Sequence, residues 1–407
     1  MSNSNKTLRL FFYTEDVVSG IFESQVLQYL QFLKSSGCEV TLICFGSLKF
    51  FLKDRKSTLN KLKKVTLCRL HFIFLPAFSP FKIPGKCLWS FYACFFVCYS
   101  LFFKKRLIIQ ARGIWSTVIG YKIKHYIRNT RLIFDMRGDE VSEYKYNPCI
   151  PENETKKHRA EAIEKYQKEC LIRSDICLFV SQAMKKMALA RAAATLPENY
   201  VIPSTGLSRY YYYDEDVRGR RRRELRLENK FVVGYSGSVV SWQRMDKVLE
   251  VFDIVRSIRR DAALLVFTKE VLEFKTQYLR SVTDDSIMVR TAGDDDLGEY
   301  LQCFDMGVLL RDRLVLNQVA SPTKFAEYLL CGVPSLVSGG IGDLEDIVNK
   351  QEVGICIQDL NNHNALVDGV KQFVNKQFNR ESIAQYGKSA WARESYLDVY
   401  KEIFEMN

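Results

Sequence analysis

LRLFFYTEDVVSGIFESQVLQYLQFLKSSGCEVTLICF, residues 8 to 45, runs from a short apolar segment through a polar loop into an amphipathic stretch and on to a second short apolar segment. LRLFFYT and EVTLICF read as strands, and ESQVLQYLQFLKSSG between them places its apolar residues at helical spacing. Strand, helix, strand is the repeating unit of a parallel sheet wrapped by helices. Further strands are expected at RLHFIFL (69 to 75), RLIIQAR (106 to 112), RLIFDMR (131 to 137), ICLFVS (176 to 181) and YVIP (200 to 203). A second series begins at KFVVGYSGS (230 to 238) and continues through AALLVFT (262 to 268), IMVRTA (287 to 292), MGVLLR (306 to 311), PSLVSG (334 to 339) and VGICIQ (353 to 358).

The expected fold is therefore α/β, with two Rossmann-like, doubly wound parallel-sheet domains at 1–205 and 206–384 whose strand ends line the two walls of a cleft. A charge-patterned stretch, 206 to 229, starts the second domain; it holds Tyr211, Tyr212 and Tyr213, then Asp214, Glu215 and Asp216, then a basic run from Arg218 to Arg223. It reads as a linker and a helix with its charges in water. The closing stretch, 385–407, carries Trp391, Tyr396, Val399, Tyr400 and Ile403 at helical spacing and is expected to pack back on the first domain.

The length of 407 residues suits two domains, and 47% hydrophobic with 26% charged residues suits a folded protein. Fifty-nine Lys and Arg against 47 Asp and Glu give a formal charge of +12, which favours anionic partners. Nucleic acid is not expected among them, because no reading module and no interleaved basic and aromatic element occurs. Of the twelve cysteines, Cys44, Cys94, Cys98, Cys177 and Cys331 lie in apolar runs and read as buried thiols of a reducing compartment. No CxxC pair occurs and there are four histidines in all, so no metal site is expected. The amino terminus, MSNSNKTLRLFFYTED, lacks the pattern of a signal peptide, and a cytoplasmic location is expected. One membrane question remains at LWSFYACFFVCYSLFF, 88 to 103, flanked by Lys82, Lys86, Lys104, Lys105 and Arg106. Both readings stand, a buried helix or an interfacial helix on anionic lipid at the inner face of the plasma membrane.

The stretch from Asp305 to Asp346 carries the strongest chemistry. A strand ends at Arg311, and SPT then leads into the helix KFAEYLLCG, which Gly332 stops. Ser321 is the expected N-cap and Pro322 the first helical residue, leaving the amides of Thr323, Lys324 and Phe325 to face an anion such as a diphosphate. Lys324 and Glu327 share a helix face, and Glu327 is placed to accept the hydroxyls of a ribose. In GYSGSVVSWQRMDKVLEVF, 234 to 252, Gly237 allows the backbone a close approach to ligand at a strand-to-helix turn.

The run SPTKFAEYLLCGVPSLVSGGIGDLEDIV resembles the nucleotide-sugar segment of the family 4 retaining glycosyltransferases, whose fold is GT-B, especially bacterial enzymes of surface-polysaccharide synthesis. The family's motif is Glu-x7-Glu; Glu327 falls on the second Glu, the ribose ligand, and Val319 stands where the first is expected. Asn317 and Asp312 are the nearby substitutes. Where the family carries an Arg and a Lys against the diphosphate, this chain has Ser238 and Gln243, so charge neutralisation passes to Arg244, Lys324 and Arg311. In the first half, SGIFESQVLQYLQFLKSSGCEVTLICF resembles the opening glycine loop, with Gly20 facing the cleft. IIQARGIW and LIFDMRGDEVSEY resemble the strand ends that contact acceptor and transferred sugar, giving Arg112, Asp135 and, in place of a common His, Arg137.

The resemblance implies a retaining transfer of a sugar from a UDP- or GDP-sugar to a glycan acceptor, lipid-linked, in the synthesis of capsule, O-antigen or exopolysaccharide. Glu327, Lys324 and Arg137 are the implied catalytic residues, and no metal or other cofactor is implied. The acidic runs Asp284–Asp285 and Asp294–Asp296 read as turns, not as a metal-binding pair. Two rivals remain: a nucleotide-sugar epimerase of the same architecture, and a non-catalytic membrane-associated binding protein. A dehydrogenase is disfavoured by the lack of GxGxxG after the first strand.

Overall fold

The computed structural model describes residues 7–14, 22–47, 55, 56, 60, 63, 65, 70–77, 81 and 83–406, except 104, 148, 193, 194, 280–283 and 294. The chain divides into two compact units, Met1–Ile202 with Leu397–Asn407, and Pro203–Tyr396.

In the first unit the elements run β1 (Thr7–Tyr13), α1 (Gln28–Ser35), β2 (Thr41–Ser47), β3 (Phe72–Ala77), α2 (Ile83–Phe103), β4 (Arg106–Arg112), α3 (Gly113–Tyr126), β5 (Thr130–Met136), α4 (Glu140–Lys145), α5 (Glu154–Arg173), β6 (Ile176–Phe179), α6 (Gln182–Ala192) and β7 (Glu198–Val201). The seven strands form one parallel sheet in the order β3-β2-β1-β4-β5-β6-β7. Sheet order reverses between β1 and β4, and the register there sets Tyr13 beside Arg112 and Arg112 beside Asp135. Ligands of open α/β sheets bind outside the carboxyl ends of the strands at such a reversal. Phe11, Phe12, Tyr13, Ile108, Ile109, Ile133 and Phe134 are fully buried, as expected of strands covered on both faces.

The second unit contains α7 (Glu215–Glu224), β8 (Phe231–Ser236), α8 (Met245–Ile258), β9 (Ala262–Phe267), β10 (Ile287–Arg290), β11 (Met306–Leu309), α9 (Thr323–Leu330), β12 (Ser335–Ser338), α10 (Leu344–Gln351), β13 (Gly354–Ile357), α11 (His363–Asn375) and α12 (Arg380–Ala390). Its sheet is parallel, in the order β10-β9-β8-β11-β12-β13, and reverses between β8 and β11. The turn after β8 begins at Gly237 and the loop after β11 carries Arg311, so both belong to the reversal. Side-chain caps start several helices: Asp214 accepts from the Val217 amide, Asn362 from Ala365 and Asn379 from Ser382.

Three sequence expectations change. The closing stretch is not one helix: α12 ends at Ala390, Trp391 packs edge-on at 5.0 Å against Phe325 in the core of the second unit, and only the last helix, α13 (Leu397–Phe404), joins the first. The 385–407 segment is therefore divided between units. The basic run of α7 is solvated only in part, at Arg220 and Arg223. Arg218 and Arg222 both meet Asp305, Arg222 also donates to the Cys303 and Lys230 carbonyls, and Arg221 meets Glu299. Tyr211, Leu225 and Leu227 lie in the same core, so 206–229 is an integral layer of the second unit. Finally, Cys44, Cys177 and Cys331 are buried but Cys94 and Cys98 are exposed, because α2 turns only one face inward.

Candidate functional site

In the second unit, the site grows from the turn at Gly237. Its φ of +133° is open to glycine, and a Cβ there would lie 3.0 Å from Lys324 Nζ. Tyr328, one turn along α9 from Lys324, accepts from the Ser236 amide at 3.0 Å and so ties the helix to the end of β8. This draws Lys324 under the turn, where it is 8% exposed, donates to Gln243 Oε1 at 3.1 Å and lies 4.0 Å from the centre of the Tyr235 ring. Burial holds its pKa well below the ordinary lysine value; the Arg311 charge lowers it further and Glu327 opposes.

Arg311 sits where β11 gives way to its loop. Its amide donates to Ser338 Oγ at 2.9 Å, and the same hydroxyl donates back to the Arg311 carbonyl at 2.8 Å, clamping the ends of β11 and β12 together. Its Nε has no hydrogen-bond partner, and burial pushes its pKa down to about 10. Neither Arg311 nor Lys324 is in an ion pair among the described residues. A buried lysine and a neighbouring half-buried arginine, with no carboxylate paired to either among the described residues, suit an anion of more than one charge.

Helix α9 presents that site end-on, with Thr323 and Glu327 as its two part-exposed residues on one face and the rest buried. Here the expected cap is corrected. Pro322, not Ser321, occupies the N-cap position, no side chain caps the helix, and Ser321 Oγ accepts from the Ser204 amide at 3.0 Å. The helix start is left to its backbone amides, of which Phe325 bonds the Pro322 carbonyl.

Arg244 is differently placed from the expectation that it neutralises phosphate. In the left-handed conformation at φ 46°, it starts α8 and is held by both Asp246 and Asp312. Asp312 is thereby engaged, and Asn317 is fully buried, its Nδ2 donating to the Asp312 carbonyl at 2.8 Å. Val319 is itself 5% exposed. Both suggested stand-ins for the missing first carboxylate are thus engaged within this loop. Ser238 contributes its carbonyl, which accepts from the Tyr235 hydroxyl at 2.5 Å.

In the first unit, Asp135 and Arg137 form an ion pair at 2.5 Å with the carboxylate 1% exposed. Gln110 Nε2 donates to the same carboxylate at 2.9 Å, and Tyr29 donates to Gln110 Oε1 at 2.7 Å. Burial opposes the Arg137 charge, but Asp135 outweighs it and the net shift is upward. Arg137 is therefore a committed ion-pair member. Arg112, 5% exposed beside Asp135 in the sheet, has an Nε without a partner. Gly20 lies outside the described residues. Sequence reasoning did not single out Tyr29, Gln110, Tyr235 or Tyr328, because only the packing of helices on the sheets brings Tyr29 to Gln110 and Tyr328 to the end of β8.

No cluster of three or more His, Cys, Asp or Glu side chains able to hold a metal occurs among the described residues. Asp284 is engaged by Ser286 and Arg256.

Residues 217–390 match the family model described as glycosyl transferases group 1. That span contains Gly237, Arg311, Lys324 and Glu327. Comparison of the sequence with curated proteins finds no match. Among solved structures, HepE from Anabaena in complex with UDP and glucose superposes with a TM-score of 0.68 at 12% identity, over 98% of this chain and 100% of that one. A glycosyltransferase from Rickettsia africae gives 0.69 at 14%, again over 98% and 100%. The lipopolysaccharide outer core galactosyltransferase WaaB in its apo form gives 0.63 at 12%, over 98% and 100%. Two Rossmann-like units with parallel sheets of seven and six strands make the fold that of GT-B glycosyltransferases.

Proposed function

We propose that this chain transfers a glycosyl group from a nucleoside-diphosphate sugar, and that the second unit holds the donor. The observation that carries the reading is the pairing of buried Lys324 with half-buried Arg311, neither in an ion pair among the described residues, beneath the glycine turn after β8 and beside the uncapped start of α9. A diphosphate leaving group is what such a set stabilises, since charge that develops there meets fixed positive groups in a dry setting. Glu327, on the part-exposed face one turn into α9, takes the ribose hydroxyls. Arg244 serves by keeping the loop after β11 in place through Asp312.

The transfer we propose is retaining, with the departing phosphate oxygen taking the proton of the acceptor hydroxyl on the face the leaving group vacates. The acceptor is a lipid-linked glycan of cell-surface polysaccharide synthesis, handled at the cytoplasmic side of the membrane. Arg112, with its unpartnered Nε at the sheet reversal of the first unit, is the residue there best placed for an anionic part of the acceptor. Lys324 and Arg311 do the electrostatic work that a divalent cation does elsewhere, so a chelator leaves turnover unchanged.

The test is a panel of UDP- and GDP-sugars added to the full chain, read as thermal stabilisation and slow release of nucleotide, with and without EDTA. Stabilisation by one nucleotide class and release of its nucleotide is expected. A panel in which no nucleotide-sugar stabilises the protein or is hydrolysed removes the reading.

A further inference from the structure

Helix α2 buries one stripe and exposes another. Trp89, Tyr92, Ala93, Phe96 and Ser100 face inward. Phe96 lies 5.4 Å from Phe12, Tyr92 lies 5.7 Å from Phe45, and the Tyr92 hydroxyl donates to the Pro76 carbonyl at 2.7 Å. The outer stripe is apolar as well: Phe91 is 63% exposed, Phe95 51%, Leu101 64%, Phe102 80% and Phe103 53%, with Cys87, Cys94 and Cys98 exposed along it. An outward face of this length with Ser90 as its one small polar side chain between Cys87 and Phe103 among the described residues is not what water selects.

Its charge says what covers it. No carboxylate occurs from 83 to 103, and the helix has cations at both ends, exposed Lys86 at one and the sequence Lys104-Lys105 directly after the other, Arg106 beyond them being paired with Glu405. On α3, Lys122 donates to Ser90 Oγ at 3.1 Å; it stands near enough to Lys86 for that charge, after burial, to lower its pKa. A second copy laid antiparallel on the stripe would set basic ends against basic ends with no acid on the face to answer them. An anionic lipid surface answers both features, taking the aromatics below the headgroups and the lysines at their level. The segment Gly85–Phe103 passes by length and composition for a membrane span, but its inner stripe is fastened to the sheet. Crossing would strip Tyr92 and Phe96 from the core, so the helix lies in the plane of the surface.

We infer that the outward stripe of α2, from Phe91 to Phe103 with Lys86 and Lys122 at its edge, seats the protein on an anionic phospholipid surface. This deepens the proposed lipid-linked acceptor and rests on that reading for its purpose, while the contact itself follows from α2.

The exposed thiols are natural probes. Full-length protein is alkylated with a maleimide in buffer, with phosphatidylcholine vesicles and with phosphatidylcholine–phosphatidylglycerol vesicles, and each cysteine is quantified by mass spectrometry. Cys87, Cys94 and Cys98 are expected to slow about tenfold with the anionic vesicles only, since their stripe enters the interface, whereas Cys149, exposed elsewhere, keeps its rate. The combined Phe91→Ser, Phe95→Ser and Phe102→Ser variant is expected to lose vesicle cosedimentation by about tenfold or more, with nucleotide-sugar stabilisation intact as evidence of folding. Equal alkylation in all three conditions overturns the inference. So does protection that rises with protein concentration without lipid, which marks a second copy, or unchanged cosedimentation of the triple variant. Lipid protection without any nucleotide-sugar binding leaves the docking surface standing and removes the donor reading alone.

Discussion

Lys324 has a lowered pKa because it is buried beside Arg311, and the sign of that shift decides what it does. A lysine whose folded pKa lies below its unfolded one weakens the fold while it must be charged. The penalty is absent above the ordinary value, grows as pH falls from there toward the folded value, and is complete below it. An incoming diphosphate restores the charged form, so donor binding takes up a proton wherever the empty site holds Lys324 neutral, and weakens as pH rises. Calorimetry in buffers of different ionisation heat measures that uptake. Lys324→Met is expected to leave the melting temperature unchanged or raised, because a buried charge is removed. It should weaken donor binding by about 1.5–3 kcal/mol, the worth of a hydrogen bond to a charged group. Unaltered affinity would contradict the assignment. Glu327→Gln keeps the shape and removes the charge, so UDP- or GDP-donors should lose about tenfold in affinity. A donor lacking the ribose 2′-hydroxyl should gain less from the wild-type carboxylate, and an equal loss with both donors would move Glu327 off the ribose.

At the scale of elements, the turn after β8 and the start of α9 are one device. Tyr328 holds the strand end, Gly237 leaves room above Lys324, and the clamp between Arg311 and Ser338 sets the depth of the neighbouring strand. Gly237→Ala strains a φ of +133° and presses a methyl group against Lys324 Nζ. A stability loss of about 1 kcal/mol is expected from the backbone alone. The loss of donor affinity should be larger, because the ammonium group must move. Denaturant unfolding and nucleotide titration of the same sample separate the two effects; a fall in stability with donor affinity untouched would show that the turn does not shape the site.

For the molecule as a whole, the last helix belongs to the unit begun by the first strand. Tyr400, Ile403 and Phe404 of α13 are buried, Tyr400 lies 5.1 Å from Tyr29, and Arg9 donates to the carbonyls of Phe404 and Glu405. Glu405 also pairs with Arg106 and Arg131, at the starts of β4 and β5. Deleting residues 397–407 bares those contacts and is expected to cost the first unit on the order of 5 kcal/mol, about 2 kcal/mol per large side chain. That is a large share of an ordinary domain's stability. Glu405→Ala should cost about 1 kcal/mol, since a partly exposed ion pair is screened by water. Urea unfolding read on the first unit's tryptophans, Trp89 and Trp115, measures both.

Strand and helix order was legible in the sequence, because apolar runs of strand length and amphipathic stretches of helical period are local patterns. The helix of 323–330 with Gly332 behind it was equally local. Partners were not. Arg244 and Arg311 look alike in sequence, yet Asp246 and Asp312 hold the first while the second keeps an unpartnered nitrogen. Arg137 looks like a site cation until Asp135 is found beside it, and Arg218 and Arg222 of α7 look solvated until Asp305 is found beneath them. The sequence by itself determined the two sheets and the helix that carries Lys324 and Glu327. Only the tertiary structure decided which cations are held in ion pairs, because ion pairing depends on distances between strands and helices far apart in the chain.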